Sequence, residues 1–147
     1  MDAVTDIGTL HRQALVVEDE PIIARVCLRT LAAQGFHADL ATSGTIAVTM
    51  VDNQDYDIIV SDIRTPGMNG IQFYRYLTEH HPEKVGRVIF TTGDVMSKDV
   101  ARFLEELRTP WLSKPFTPSE LISAVGRVLG QPQQPPGTTQ CCVFPGT

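Results

Sequence analysis

Short apolar runs alternate with stretches of helical periodicity along this chain. The runs Ala14–Val17, His37–Ala41, Asp57–Ser61, Arg87–Thr91 and Pro110–Leu112 read as five short strands. Between and after them, apolar residues recur at helical spacing. Ile22, Ile23, Val26, Cys27 and Leu31 mark a helix over about 21–34, with Pro21 suited to its first turn and Gly35 to its C′ position. Ser43 is a good N-cap for a second helix reaching about Val51. A third is predicted over about 71–80, stopping before Pro82. A fourth covers about 97–107, with Val100, Leu104 and Leu107 in register. The last opens on Thr117-Pro118-Ser119-Glu120, a capping box with proline at N1, and presents Leu121, Ile122, Val125, Val128 and Leu129 to one side. Five β–α units predict an α/β fold: a mostly parallel sheet with helices on both faces and right-handed crossovers.

Residues 13–130 carry this pattern, and 147 residues are most simply one domain. Residues 1–12 form a mixed, polar N-terminal extension. Gln, Pro, Gly and Thr dominate from 131 to 140, so 131–147 reads as a disordered tail or linker. No apolar stretch approaches the roughly 20 residues of a membrane span, and the N-terminus lacks an apolar signal core, which places the protein in the cytoplasm. The net charge of −5, with scattered Lys and Arg, argues against a direct nucleic-acid partner. Of three cysteines, Cys27 falls on the apolar side of the first helix and reads as core, while Cys141 and Cys142 are adjacent in the tail.

The chemistry lies at the ends of the apolar runs. Glu18-Asp19 follow the first, Asp62 the third, and Lys114-Pro115 the fifth. Open α/β sheets place their sites at such carboxyl ends, and neighbouring strands there share a crevice. Three carboxylates in one crevice repel, so one pKa rises unless a cation intervenes. All-oxygen ligands favour a hard ion such as Mg²⁺, and three negatives against a dication plus Lys114 roughly cancel.

Glu18-Asp19-Glu20-Pro21, Ser61-Asp62-Ile63-Arg64-Thr65-Pro66-Gly67-Met68-Asn69-Gly70, Thr92-Gly93 and Lys114-Pro115-Phe116 together resemble the signatures of response-regulator receiver domains, in order and in placement at strand ends. The resemblance implies a doubly wound, flavodoxin-like five-stranded parallel sheet of order 2-1-3-4-5; that order comes from the family, a member of which is the standing example of it. It implies a two-component signalling function, with Asp62 as phosphoacceptor from a phosphohistidine of a histidine kinase or histidine phosphotransfer domain. Asp19, Asp62 and the Arg64 backbone carbonyl would ligate Mg²⁺, with Glu18 acting through a water. Thr92 and Lys114 would contact the phosphoryl group, and the Lys114–Pro115 bond would be cis. Trp111 stands at the switch-aromatic position. Arg64 and Asp94 flank the site, where they would restrict the attacking water. The activity implied is self-modification followed by slow hydrolysis, not turnover of a separate substrate. Members often form homodimers through helix 4, strand 5 and helix 5.

The chain departs from the family pattern at three places. Glu18 stands where many members have Asp, Thr65 replaces a frequent methionine, and Trp111 replaces Tyr or Phe. The Phe90–Asp94 and Trp111–Phe116 stretches resemble receivers of hybrid histidine kinases, beside the alternative of a free-standing receiver. Asp-nucleophile hydrolases need a second Asp two residues after the first, where Arg64 stands. A flavin-binding domain would put a phosphate against Glu18-Asp19-Glu20, which repel it. The remaining alternative is a phosphorylation-independent receiver-like interaction module.

Overall fold

The computed structural model describes residues 12–130. The N-terminal extension before Arg12 and the tail after Gly130, with Cys141 and Cys142, lie outside the described residues. Five strands, β1 (Arg12–Val17), β2 (Phe36–Ala41), β3 (Ile58–Asp62), β4 (Val88–Thr92) and β5 (Trp111–Ser113), pair in parallel in the order β2-β1-β3-β4-β5. Helices α1 (Pro21–Ala33), α2 (Gly44–Asn53), α3 (Gly70–His80), α4 (Lys98–Glu106) and α5 (Pro118–Gly130) connect and follow them.

Alternation along each central strand divides the core in two. Leu15, Val17, Ile59, Val88 and Phe90 face one side and pack with Ala47, Val51, Phe73, Leu77, Val100 and Leu104 of α2, α3 and α4. Ala14, Val16, Ile58, Val60 and Ile89 face the other and pack with Cys27 and Leu31 of α1 and Leu121, Ala124 and Val125 of α5. Burying both faces explains why every residue of β3 and β4 is buried and why each opens on three consecutive apolar residues rather than alternating. Cys27 is buried, and burial, then the Glu18 charge, push its thiol up to about 12.

Local signals held where they depended on near neighbours. The α5 capping box is formed: Glu120 N donates to Thr117 Oγ1 at 3.1 Å, and Thr117 N donates to Glu120 Oε1 at 2.8 Å. Ser43 Oγ accepts from Ile46 N at 3.1 Å at the start of α2. Strands β3, β4 and β5 each begin and end one residue later than the apolar runs predict. Their last residues, Asp62, Thr92 and Ser113, are polar but still pair across the sheet or sit in its ladder. A 3-10 helix, Pro82–Arg87, fills what reads as a connector. It is stapled by Lys84, whose buried Nζ lies 3.2 Å from Asp55 Oδ1, and by Arg87.

Candidate functional site

The site begins with register. Val17 of β1 lies opposite Ser61 of β3, so the residues that follow, Glu18-Asp19 and Asp62, emerge side by side. Thr91 lies opposite Asp62, and Thr92 lies opposite Ser113, which brings Thr92 and Lys114 to the same edge. Lys114 N donates to Thr92 O at 2.8 Å, continuing the ladder past β5, and the Lys114–Pro115 bond is cis as expected.

Two glycines shape the loop between β3 and α3. A Cβ on Gly70 would lie 2.7 Å from Ile63 Cα and 2.8 Å from Asp62 O, so only glycine lets α3 start against the end of β3. Gly67 has φ +73, the left-handed region that glycine enters without strain. Thr65, buried in this loop, donates from Oγ1 to Met68 O at 3.0 Å, so it works as a polar staple where the family has an apolar anchor. Asn69 caps α3 and completes a reciprocal box with Gln72. The apolar periodicity begins at Ile71, so this polar box lies at the edge of the helix that the pattern predicts.

Glu18, Asp19 and Asp62 each offer a carboxylate oxygen, and these oxygens all lie within 4.8 Å of one another. Glu18 and Asp62 are buried and Asp19 is exposed. Lys114 Nζ sits 3.0 Å from Glu18 Oε1 and 3.0 Å from Asp62 Oδ2. The other Asp62 oxygen, Oδ1, accepts from Arg64 N at 3.3 Å. Burial, and then the Asp62 charge, raise Glu18 above the usual glutamate value against the pull of Lys114. Burial works against the charged form of Lys114, but its hydrogen bonds to Asp62 and Glu18 outweigh it and its pKa is raised. The cluster is thus short of positive charge, and its all-oxygen donor set fits a hard dication.

The cluster opens into a cleft of about 390 Å³ lined by Asp19, Glu20, Asp62, Arg64, Gly93, Asp94 and Lys114. Arg64 and Asp94 form an ion pair across its mouth, linking the loop after β3 to the loop after β4. Thr92 is buried, and its Oγ1 accepts from Asp94 N at 3.0 Å. Trp111 is 38% exposed and lies opposite Phe90 at the sheet edge, outside the residues that line the cleft. Glu20 is not among the site residues that the sequence predicts, yet its Oε1 reaches Lys114 Nζ at 3.4 Å. His80 and His81 stay away from the cleft: His80 stacks on Tyr76, and His81 pairs with Asp52 at 2.7 Å.

Comparison with known proteins agrees with this arrangement. The family model for the response regulator receiver domain matches residues 14–126. The DNA-binding response regulator MtrA of Mycolicibacterium smegmatis is 30% identical over 119 residues, covering 81% of this chain and 51% of that protein. The probable transcriptional regulator ycf29 of Pyropia yezoensis is 29% identical over 117 residues, covering 80% of this chain and 53% of that protein. The chain therefore spans about half the length of the curated relatives it matches. That one of them is named DNA-binding leaves the exclusion of nucleic acid, drawn from net charge, without support. Among solved structures, the receiver domain of the sensor histidine kinase PA1611 of Pseudomonas aeruginosa, which holds a magnesium ion in its active site cleft, superposes with a TM-score of 0.73 at 28% identity, covering 82% of this chain and 99% of that one. The signal receiver domain of a histidine kinase from Syntrophus aciditrophicus gives 0.73 at 29% identity, covering 87% and 97%. With the family match spanning both halves of the sheet and all four strand-end motifs, the chain belongs to the response regulator receiver domain family.

Proposed function

We propose that this chain accepts a phosphoryl group on Asp62 from a phosphohistidine of a histidine kinase or histidine phosphotransfer domain. A carboxylate oxygen of Asp62 bonds to phosphorus, the P–N bond breaks, and the imidazole nitrogen leaves with the electron pair and takes a proton. Such transfer asks the protein for position and charge neutralisation above all. The observation that carries the reading is the Asp62 carboxylate, held between Lys114 Nζ and Arg64 N at the base of an open cleft, with two further acids beside it.

Asp19, Asp62 and the Arg64 carbonyl would hold Mg²⁺, with Glu18 acting through water. Bound there, the dication would neutralise the charge that develops on the phosphoryl oxygens. Lys114, held beside Asp62, would pair with a phosphoryl oxygen once the group arrives, a task for which a compact point charge suffices. The Thr92 hydroxyl accepts from Asp94 N and keeps its own proton available for a phosphoryl oxygen. Arg64 and Asp94 cover the path a hydrolytic water would take, which lengthens the life of the acyl phosphate. The product is the modified chain itself, altered on its α4–β5–α5 face, where Trp111 lies and where two copies would meet. The absence of a span-forming helix among the described residues fits work in the cytoplasm. The domain occupies 13–130, with the termini as extensions.

The test is Mg²⁺ and acetyl phosphate with intact-mass detection, following Trp111 fluorescence in parallel. One phosphoryl group should appear on the native chain and none on Asp62→Asn. No modification of the native chain, or equal modification of the variant, refutes the reading.

A further inference from the structure

Three carboxylates meet one ammonium. Lys114 Nζ lies 3.0 Å from Glu18 Oε1, 3.0 Å from Asp62 Oδ2 and 3.4 Å from Glu20 Oε1. A lysine carries three N–H donors, so these oxygens match its donors in number. A phosphoryl oxygen can be taken on only if one carboxylate lets go.

The surroundings decide which one. Glu18 is buried and its second oxygen accepts from Glu20 N at 3.2 Å, so it is pinned at both ends. Asp62 is the acceptor and carries the phosphoryl group itself. The Glu20 side chain is 60% exposed and makes the longest of the three contacts, so water replaces its partner at little cost. Its backbone, in contrast, is anchored. Pro21 at the first helical position keeps Glu20 extended, at φ −84 and ψ 116, and Glu20 O accepts from Ala24 N at 2.9 Å in the first turn of α1. The side chain therefore swings from a fixed root on the lip of the cleft.

We propose that Glu20 is an internal competitor for Lys114: its carboxylate holds the place around the ammonium that a phosphoryl oxygen takes, and is expelled when Asp62 is modified. This rests on Asp62 being the acceptor. Glu20 then biases the chain toward its unmodified state, both by occupying Lys114 and by repelling a dianion that comes close.

The experiment titrates the full chain with beryllofluoride, a phosphoryl analogue, at saturating Mg²⁺. Native chain and Asp62→Asn come first. If the native chain fails to bind, or Asp62→Asn binds equally, the acceptor reading falls and the proposal with it. Once that control holds, Glu20→Gln and Glu20→Asp decide the role of Glu20. Glu20→Gln removes the charge, while Glu20→Asp keeps the charge but withdraws it from Lys114 by one methylene. An exposed pair of this kind predicts about two- to fivefold tighter binding in both variants. Damage to the fold would move affinity in the opposite direction. Unchanged or weaker binding by Glu20→Gln overturns the proposal. So does native affinity in Glu20→Asp, which would reduce the effect to the general field of one acid.

Discussion

Replacing Lys114 by methionine keeps an unbranched stem of similar length and deletes the ammonium. The Lys114 side chain is 14% exposed, and those of Glu18 and Asp62 are 3% and 7%. At 3.0 Å each pair is worth about 5 kcal/mol of gross Coulomb energy at an effective dielectric of about 20. Desolvation cancels most of that in the native chain. In the variant both carboxylates keep their desolvation and lose their compensation, and breaking a buried pair in this way costs about 3–5 kcal/mol. Protonation limits the damage. The Glu18 pKa already stands above 4.5 through burial and the Asp62 charge, and without the cation it rises further. A group whose folded pKa is raised binds its proton more readily in the folded state, so acid favours the fold in the window above 4.5. Lys114 itself has a pKa raised above 10.5, so its contribution is complete throughout pH 5–8 and is lost only above 10.5. The expected loss is therefore about 3 kcal/mol at pH 8 in metal-free buffer and clearly less at pH 5. Urea denaturation followed by circular dichroism measures it. Millimolar Mg²⁺ should restore part of the loss at pH 8, because a dication at the same oxygens replaces the missing charge. A loss under about 1 kcal/mol at pH 8, or one that ignores both pH and Mg²⁺, refutes this account of the cluster.

Other outcomes follow from single features. Changing both Arg64 and Asp94 to alanine opens the mouth of the cleft, and phosphoryl loss from the modified chain should quicken by about two- to fivefold, the weight of one exposed ion pair; an unaltered decay by intact mass counts against their role. Gly44→Ala places a Cβ 2.0 Å from Met68 O, so it should cost about 2 kcal/mol by overpacking and displace the loop that leads into α3. Gly126→Ala meets nothing within 4 Å in α5 and should stabilise by about 0.5–1 kcal/mol; equal effects of the two in thermal unfolding would contradict the packing described. Cys27, buried and with its thiol pushed to about 12, should resist alkylation at pH 8 until the chain unfolds, as read by peptide mapping that separates it from Cys141 and Cys142.

The features legible in the sequence share one property: their physical cause lies within a few residues. Short apolar runs marked the five strands and a period of 3.6 marked the five helices, because burial acts on each element through its own few residues. Thr117 and Glu120 announce the α5 cap because both halves of that bond lie within one turn. The four strand-end motifs identified the family, since their types and order survive without coordinates. Element ends were less legible. Asp62, Thr92 and Ser113 are polar, so the apolar runs stop short of them, yet the ladder carries them to the site.

What the sequence determined by itself was an α/β receiver with acids and a lysine at its strand ends. Tertiary structure alone decided how those charges are apportioned. Burial separates Glu18 and Asp62 from Asp19, and only the folded sheet shows it. Glu20 stands in the motif Glu18-Asp19-Glu20-Pro21, but nothing near it in the sequence ties its side chain to Lys114. Its approach to Lys114 joins residues 94 positions apart. No local pattern encodes such a contact: it exists because β1 and β5 end on the same side of one parallel sheet, and an ion pair depends on distance in space rather than along the chain.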